Sequence, residues 1–279
     1  MPLKNIAIYK MPFFAIPSYQ RSSLLPSKTL ALLSRFQVPM QNVYVFIVEE
    51  DKQAYEESLV PYLHQGLHLE IGPLGLHYMR NYIRYYLPEG CELIQLDDDI
   101  EDFYIMEEDP NVEDLKSCKR YPLHKMTEQQ FHSMIEIAFK ELRSHQLHLF
   151  GIYPVKNGYF MKDLPERTTD LRFCVGVFWG CINQHKTELH LELEEKEDVE
   201  RTLRYYVQDK GVLRFNRIVP KTNYYKTPGG MQARPYSRIE SSKVSCDYLL
   251  THFKPYCKLY TSKKSGIYEI KLLTKSVVS

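Results

Sequence analysis

Over the first hundred residues, short apolar runs alternate with stretches of helical spacing, and the runs end in polar or acidic side chains. The runs are Phe13–Ile16, Val43–Val48, Leu67–Ile71 and Leu93–Leu96. Val43–Val48 is continuous and rich in β-branched and aromatic residues, the pattern of a strand covered on both faces. Ser27–Phe36 carries Leu30, Leu32 and Leu33 at helical spacing, and Leu76–Tyr86 is a second such stretch bearing Arg80 and Asn81. This alternation predicts an α/β fold with a mostly parallel sheet, right-handed crossovers and flanking helices. Ligands gather beyond the carboxyl ends of such strands. The loops carrying Ser18 and Arg21, Glu49 and Asp51, and Asp97–Asp99 are therefore expected to meet in one cleft. Neither GxGxxG nor GxxxxGK(S/T) occurs, so a dinucleotide fold or P-loop is not supported.

The last of these strands runs directly into Asp97, Asp98 and Asp99. Adjacent carboxylates raise one another's pKa, so the cluster is costly unless a cation sits there. A divalent metal is the usual remedy, since hard oxygen ligands suit Mg²⁺ or Mn²⁺ and the ion can also hold a diphosphate. Taken alone, the triplet reads equally well as a solvated acidic turn.

Farther along, residues 101–126 are acidic and then polar and read as a mobile loop, and Thr127–Gln146 as an amphipathic helix opened by Thr127. Strands are expected at Leu147–Tyr153, Asn157–Lys162, Leu171–Gly180 and Val212–Ile218. Gly176 and Gly180 lie inside the third, where glycine marks either a ligand against the backbone or a bulge. Glu197 and Asp198 precede a helix, Val199–Gln208, that Gly211 is expected to cap. Helix capping is a competing role for both carboxylates. Thr222–Gly230 reads as a loop, and the remainder is irregular except for Ile267–Leu273.

A chain of 279 residues suits one large α/β domain or two small ones. No apolar run approaches the ~18 residues of a membrane span, and Met1–Tyr9 lacks a signal-peptide core. Its six cysteines show no CxxC pair and no zinc spacing, as in reduced intracellular proteins. The net charge of +1 conceals a division: residues 201–279 hold sixteen Lys and Arg against four Asp and Glu, and residues 1–200 hold twenty against thirty-one. Nine tyrosines lie among the later basic residues. Cations interleaved with aromatics suit a polyanion with stackable bases. They equally suit a basic tail covering the acidic body of its own protein.

Taken in order, these motifs resemble the inverting GT-A glycosyltransferases. The carriers are Pro17-Ser18-Tyr19-Gln20-Arg21, Glu49-Glu50-Asp51, Gly75 through Arg80-Asn81, Asp97-Asp98-Asp99 and Glu197-Asp198. The likeness is strongest to the TET-associated branch, which includes the base J glucosyltransferase and viral and phage relatives. It extends through Glu197-Asp198-Val199-Glu200-Arg201-Thr202-Leu203-Arg204-Tyr205-Tyr206, Gly211, Arg214-Phe215-Asn216 and Thr222 to Gly230. The resemblance implies a Rossmann-like GT-A domain over residues 1–235, with residues 236–279 a basic extension packed on it.

The same resemblance implies a UDP-sugar-dependent hexosyltransferase using Mn²⁺ or Mg²⁺, with glucose as first choice and a 5-hydroxymethylpyrimidine in DNA as acceptor. A soluble protein of the host cytoplasm or nucleus, with no protein partner, is implied as well. Asp99 with Asp97 is the expected metal pair, and Asp198 the base with Glu197 its rival. Pro17, Ser18, Tyr19, Arg21, Glu49, Asp51, Arg80, Asn81, Asp97, Asp98, Gly176 and Gly180 are expected around the donor. Tyr224, Tyr225, Gly229, Gly230, Gln232 and Arg234 are expected on an acceptor loop or lid. A protein, lipid or glycan acceptor is the alternative within the enzyme class, and a non-catalytic nucleic-acid-binding module the alternative outside it.

Overall fold

The computed structural model describes residues 11–109, 111, 120–222, 229, 238–261 and 266–274. Its first half follows the expected alternation: β1 (Phe13–Pro17), α1 (Ala31–Arg35), β2 (Val43–Ile47), α2 (Lys52–Ser58), α3 (Val60–Leu63), β3 (His68–Ile71), α4 (Leu76–Tyr86) and β4 (Glu92–Leu96). A turn of π-helix, Pro26–Leu30, leads into α1. Next come β5 (Asp102–Met106), β6 (Leu123–Lys125), α5 (Glu128–His145), β7 (Leu149–Ile152), α6 (Gly158–Met161), β8 (Arg167–Thr168) and β9 (Phe178–Ile182). The chain continues with α7 (Glu197–Asp209), β10 (Leu213–Phe215), β11 (Ile218–Lys221), α8 (Arg238–Phe253), β12 (Cys257–Thr261) and β13 (Tyr268–Leu272).

Eight strands form the central sheet in the order β3-β2-β1-β4-β9-β7-β10-β8. β1 to β4 are mutually parallel, β9 runs against both β4 and β7, β10 is parallel to β7, and β8 is an antiparallel edge. One face of the sheet is covered by apolar residues of the helical stretch around α1 and of α5, among them Leu33, Phe36, Phe131 and Phe139. Met79 and Ile83 of α4 and Tyr205 of α7 cover the other. The α/β architecture is the expected one: a mostly parallel sheet between helical layers.

α5 begins where its sequence predicts. The Thr127 hydroxyl accepts from the Gln130 amide at 3.2 Å, and the Gln130 side chain accepts from the Thr127 amide at 2.9 Å. This reciprocal pair satisfies two donors that a helix start leaves unpaired.

Several expectations fail, each for a visible reason. Residues 101–126 are not simply a loop: β5 and β6 join β11 in a separate antiparallel sheet, an arrangement set by a distant strand. Asn157–Lys162 is not a strand, because the Asn157 side chain accepts from the Tyr159 amide and starts the helical turn α6. Leu171–Gly180 is a strand only from Phe178, and the segment before it is irregular. Lys210, not Gly211, takes the left-handed helix end, with φ 60°. The C-terminal stretch is not irregular either. α8 and the β12–β13 hairpin pack Leu249, Phe253 and Cys257 onto Leu171, Leu193 and Leu203, and Lys196 pairs with Glu269 at 2.9 Å.

Candidate active site

The carboxyl ends of β1, β2 and β4 and the start of α7 meet at one edge of the central sheet. Register sets this edge. Gln95 lies opposite Ala15 on one side and Trp179 on the other, so Pro17 and Val177 flank Asp97. The Asp97 amide donates to the Val177 carbonyl at 2.9 Å, fixing the acidic triplet beside the segment that carries Gly176.

Each aspartate of the triplet has a different environment. Asp98 is buried and fully engaged, accepting from Arg21 Nη1 at 2.7 Å and from Ser18 Oγ at 2.6 Å. Since the Ser18 proton goes to Asp98, the Tyr55 hydroxyl donates to Ser18 Oγ at 2.6 Å and accepts the Arg21 amide at 3.0 Å. Burial pushes Tyr55 up to about 12, with the Asp98 charge adding to the rise and the hydrogen bonds to Ser18 and Arg21 opposing it. Ser18 and Asp98 thus brace Arg21 at the corner where both were expected.

Asp97 accepts from Arg80 Nη2 at 2.8 Å. Its desolvation by the cleft walls raises its pKa, Arg80 opposes the rise, and Asp98 and Glu197 add to it. Asp99 meets Arg21 only at 3.6 Å, and burial together with Asp97 and Asp98 pushes it up to about 6. Burial alone would lower the Arg21 guanidinium, yet Asp98, Asp99 and Asp97 together raise it.

Opposite the triplet, Glu197 and Asp198 stand in the first turn of α7. Glu197 is buried between two arginines, with Arg201 Nη1 at 2.8 Å and Arg80 Nε at 3.9 Å. Arg201 also donates to the Cys174 carbonyl at 3.0 Å and lies over the Trp179 ring, 4.1 Å from its centroid. A carboxylate so clamped serves as a counter-ion for both guanidiniums. Asp198 accepts from the Gly176 amide at 3.2 Å and from the Val199 amide at 2.9 Å. It satisfies one helix-end donor without being the N-cap, which is Lys196. Burial first, and then Glu197, raise its pKa.

Gly176 joins the two groups. Its amide holds Asp198, and its carbonyl accepts from Arg80 Nη2 at 3.1 Å, the same nitrogen that holds Asp97. A side chain there would stand 3.0 Å from Glu197 Oε1 and 3.5 Å from Asp198 Oδ2. The glycine makes room for these two carboxylates. Gly180 lies away from the cleft, where an added methyl would come within 2.2 Å of the Phe150 ring, so packing alone explains it. Asn81 donates to the Leu191 carbonyl at 2.8 Å and accepts from the Leu191 amide at 2.9 Å, and so holds that loop against α4.

Asp51 accepts from the Gln20 amide at 2.7 Å and shapes the Pro17–Arg21 corner from below. Tyr19 is half-buried there and accepts from the Gln20 side chain at 3.0 Å, while Glu49 is exposed. Gly229 reaches this corner, its carbonyl 3.4 Å from Arg21 Nη2. Tyr224, Tyr225, Gly230, Gln232 and Arg234 lie outside the described residues. Tyr55, Gln95, Trp179 and Arg201 were missed as site residues. Two had a local signal: Tyr55 follows Asp51, and Arg201 follows Glu197, each by four residues, which places each pair on one helix face. Gln95, which accepts from Arg80 at 3.1 Å, and Trp179 had none.

Among the described residues, no three His, Cys, Asp or Glu side chains converge as a ready-made metal site. Asp99 and the second oxygen of Asp97 nonetheless form a donor pair of the right chemistry. Mg²⁺ is commonly held by one or two carboxylates plus substrate phosphates and water. Burial first, and then Asp97 and Asp98, raise the affinity of Asp99 for a proton, a cost that a bound cation would offset.

The charge division seen in the sequence is partly internal. Arg201, Arg204 and Lys221 pair with Glu197, Glu200 and Glu101, all within 2.8 Å. Lys243, Lys254, Lys258 and Lys271 are exposed. No helix among the described residues is long and apolar enough to cross a membrane.

No family model and no curated protein matches this chain. Among solved structures it is similar to residues 1–349 of TarS from S. aureus, with a TM-score of 0.45 and 12% identity over 88% of this chain and 72% of that one. The same fragment in complex with UDP gives a TM-score of 0.43 at 12% identity and the same coverage. A 4-diphosphocytidyl-2C-methyl-D-erythritol synthase from Anaerococcus prevotii gives 0.42 at 11% identity, over 75% of this chain and 88% of that one. Likenesses this distant carry no functional weight beside the site itself.

Proposed function

We infer that the protein is an inverting GT-A-type glycosyltransferase. On this reading it moves a sugar, glucose in the first instance, from a UDP-sugar to a hydroxyl group, and the hydroxyl belongs to a 5-hydroxymethylpyrimidine in DNA. One observation carries the chemistry: Gly176 holds Asp198 through its amide and, through its carbonyl and Arg80, shares a partner with Asp97. A nucleotide-side carboxylate and a candidate base thus stand on either side of one residue. DNA as the acceptor rests on the resemblance and on the exposed lysines of the C-terminal part.

Each group has a defined task. Asp198 takes the proton of the attacking hydroxyl, a contribution of roughly 10²–10⁴ in rate for a positioned general base. Its raised pKa suits proton transfer near neutral pH. Arg21, braced by Asp98 and Tyr55, presents a fixed positive charge where a departing diphosphate gathers negative charge. Arg80 orients Asp97, and Arg201 keeps Glu197 from competing for the acceptor's proton. A Mg²⁺ or Mn²⁺ ion held by Asp99 and Asp97 would supply Lewis-acid neutralisation of the diphosphate.

The test is incubation with a panel of sugar nucleotides and Mn²⁺, alongside matched DNAs with and without the hydroxymethyl group. Mass spectrometry reads donor loss and product mass, and NMR reads the anomeric configuration. Transfer to the hydroxymethylated DNA alone, with inversion, is expected. Turnover on a small sugar or peptide acceptor instead would keep the chemistry and replace the acceptor. Consumption of no donor would overturn the reading.

A further inference from the structure

The carboxyl end of β7 opens onto the same edge of the sheet as the acidic triplet. Gln95 and Gly151 both lie opposite Trp179, so Tyr153 stands level with Asp97, two strand spacings or roughly 10 Å away. The residues that follow do something uncommon for a helical turn at a sheet's end: they turn large apolar side chains outward. Val155, Tyr159 and Phe160 are 56%, 58% and 62% exposed. Met161 alone faces inward, buried with Met106 and Val219.

This surface is built and not frayed. The Asn157 side chain accepts from the Tyr159 amide at 3.1 Å, and the Tyr159 and Phe160 rings meet edge-to-face at 5.3 Å. Lysines flank them: Lys156 Nζ sits 3.2 Å from the centroid of Tyr104, and Lys162 Nζ 4.8 Å from that of Tyr159. Residues 154–162 contain both lysines and no acidic residue, and Asp163 follows. Ordered aromatic faces with cations at their margins match an unstacked base and its phosphate. An apolar peptide would gain nothing from the lysines.

We propose that Val155–Lys162 is a nucleic-acid docking shelf on which bases next to the modified one stack. The shelf deepens the reading of DNA as the acceptor and rests on it. Contact continues from the shelf to the candidate base. The Arg214 guanidinium lies over the Tyr153 ring and donates to the Phe173 carbonyl at 3.5 Å, and the next carbonyl, that of Cys174, accepts from Arg201, which holds Glu197 beside Asp198.

The experiment uses the full chain and a fluorescent oligonucleotide containing 5-hydroxymethylpyrimidine, with anisotropy as the readout. The double variant Tyr159→Ala/Phe160→Ala removes only exposed rings and should keep its melting temperature and its UDP affinity. DNA affinity should fall roughly ten- to a hundredfold, the loss expected for one or two stacking contacts. Lys156→Gln should weaken binding and lower the salt slope by about one. No DNA binding by the unaltered protein, or affinity unchanged in the double variant, overturns the shelf. Binding of an unstructured peptide lost in the same variant, with DNA unaffected, overturns it too. UDP binding and donor turnover read the transferase proposal separately. If both were absent while the double variant still lost DNA, the shelf would stand and the enzyme would fall.

Discussion

Arg80 is buried and Asp97 is not. The guanidinium, 1% exposed, holds from beneath a carboxylate that keeps 34% of its surface open to the cleft, with Nη2 to Oδ1 at 2.8 Å. One Asp97 oxygen is thereby fixed. Asp99 lacks such a close partner, and this difference between neighbours sets the first prediction.

The folded state holds the Asp99 proton more tightly than the unfolded chain does, with a pKa of about 6. Its contribution to stability is therefore fullest below the ordinary carboxylate range and is lost as pH rises through about 6. Adding Mn²⁺ should raise the melting temperature more at pH 7.5 than at pH 5. Asp99→Asn should stabilise the metal-free protein at pH 7.5, abolish the Mn²⁺ shift and abolish transfer. A Mn²⁺ shift that persists in the variant would remove Asp99 from the ion.

Asp198→Asn should lower turnover by about 10²–10⁴ while UDP affinity stays nearly constant. The amide oxygen can still accept the Val199 amide, so α7 should keep its helicity by circular dichroism. Donor affinity falling in step with turnover would reassign Asp198 to structure.

Glu197→Ala should be harder on stability than on any single kinetic step. It leaves two buried guanidiniums facing each other, and breaking a buried pair from one side costs about 3–5 kcal/mol. Chemical denaturation measures this directly. A loss below about 1 kcal/mol would show that Arg201 does not depend on Glu197 as its counter-ion.

Gly180→Ala tests the separation of packing from chemistry. The added methyl collides with the Phe150 ring, and overpacking of this kind costs roughly 1–3 kcal/mol. UDP affinity and turnover at a temperature where the variant is folded should match the parent. A selective loss of donor affinity would return Gly180 to the donor site.

The order of elements through β4 was legible because each strand and helix there carries its own periodicity and its own polar end. The acidic triplet and Glu197-Asp198 were legible as chemistry for the same reason: carboxylates crowded at strand ends and helix starts are costly and stand out. What individual residues touch was not. Ser18 and Asp98 are consumed by one another and by Arg21, and Asn81 by the Leu191 backbone, through contacts spanning 77 to 110 positions that no local pattern records. β5 and β6 were hidden likewise, since β5 is paired by a strand more than a hundred residues away. α8 escaped because its apolar positions form no sharp stripe, though Leu249 and Phe253 still anchor it.

The reversed direction of β9 divides authorship of the cleft. Because β9 runs against its neighbours, the chain enters the sheet beside Asp97 instead of leaving it there. The triplet side is then built mainly by the first hundred residues, with Gly229 reaching its corner, and the opposite side by residues after β7, with Gly176 between them. A replacement of the later stretch alone would leave the triplet side in place, but it would have to match a seam that includes Gly176, the Arg80–Glu197 pair and the Asn81–Leu191 contacts.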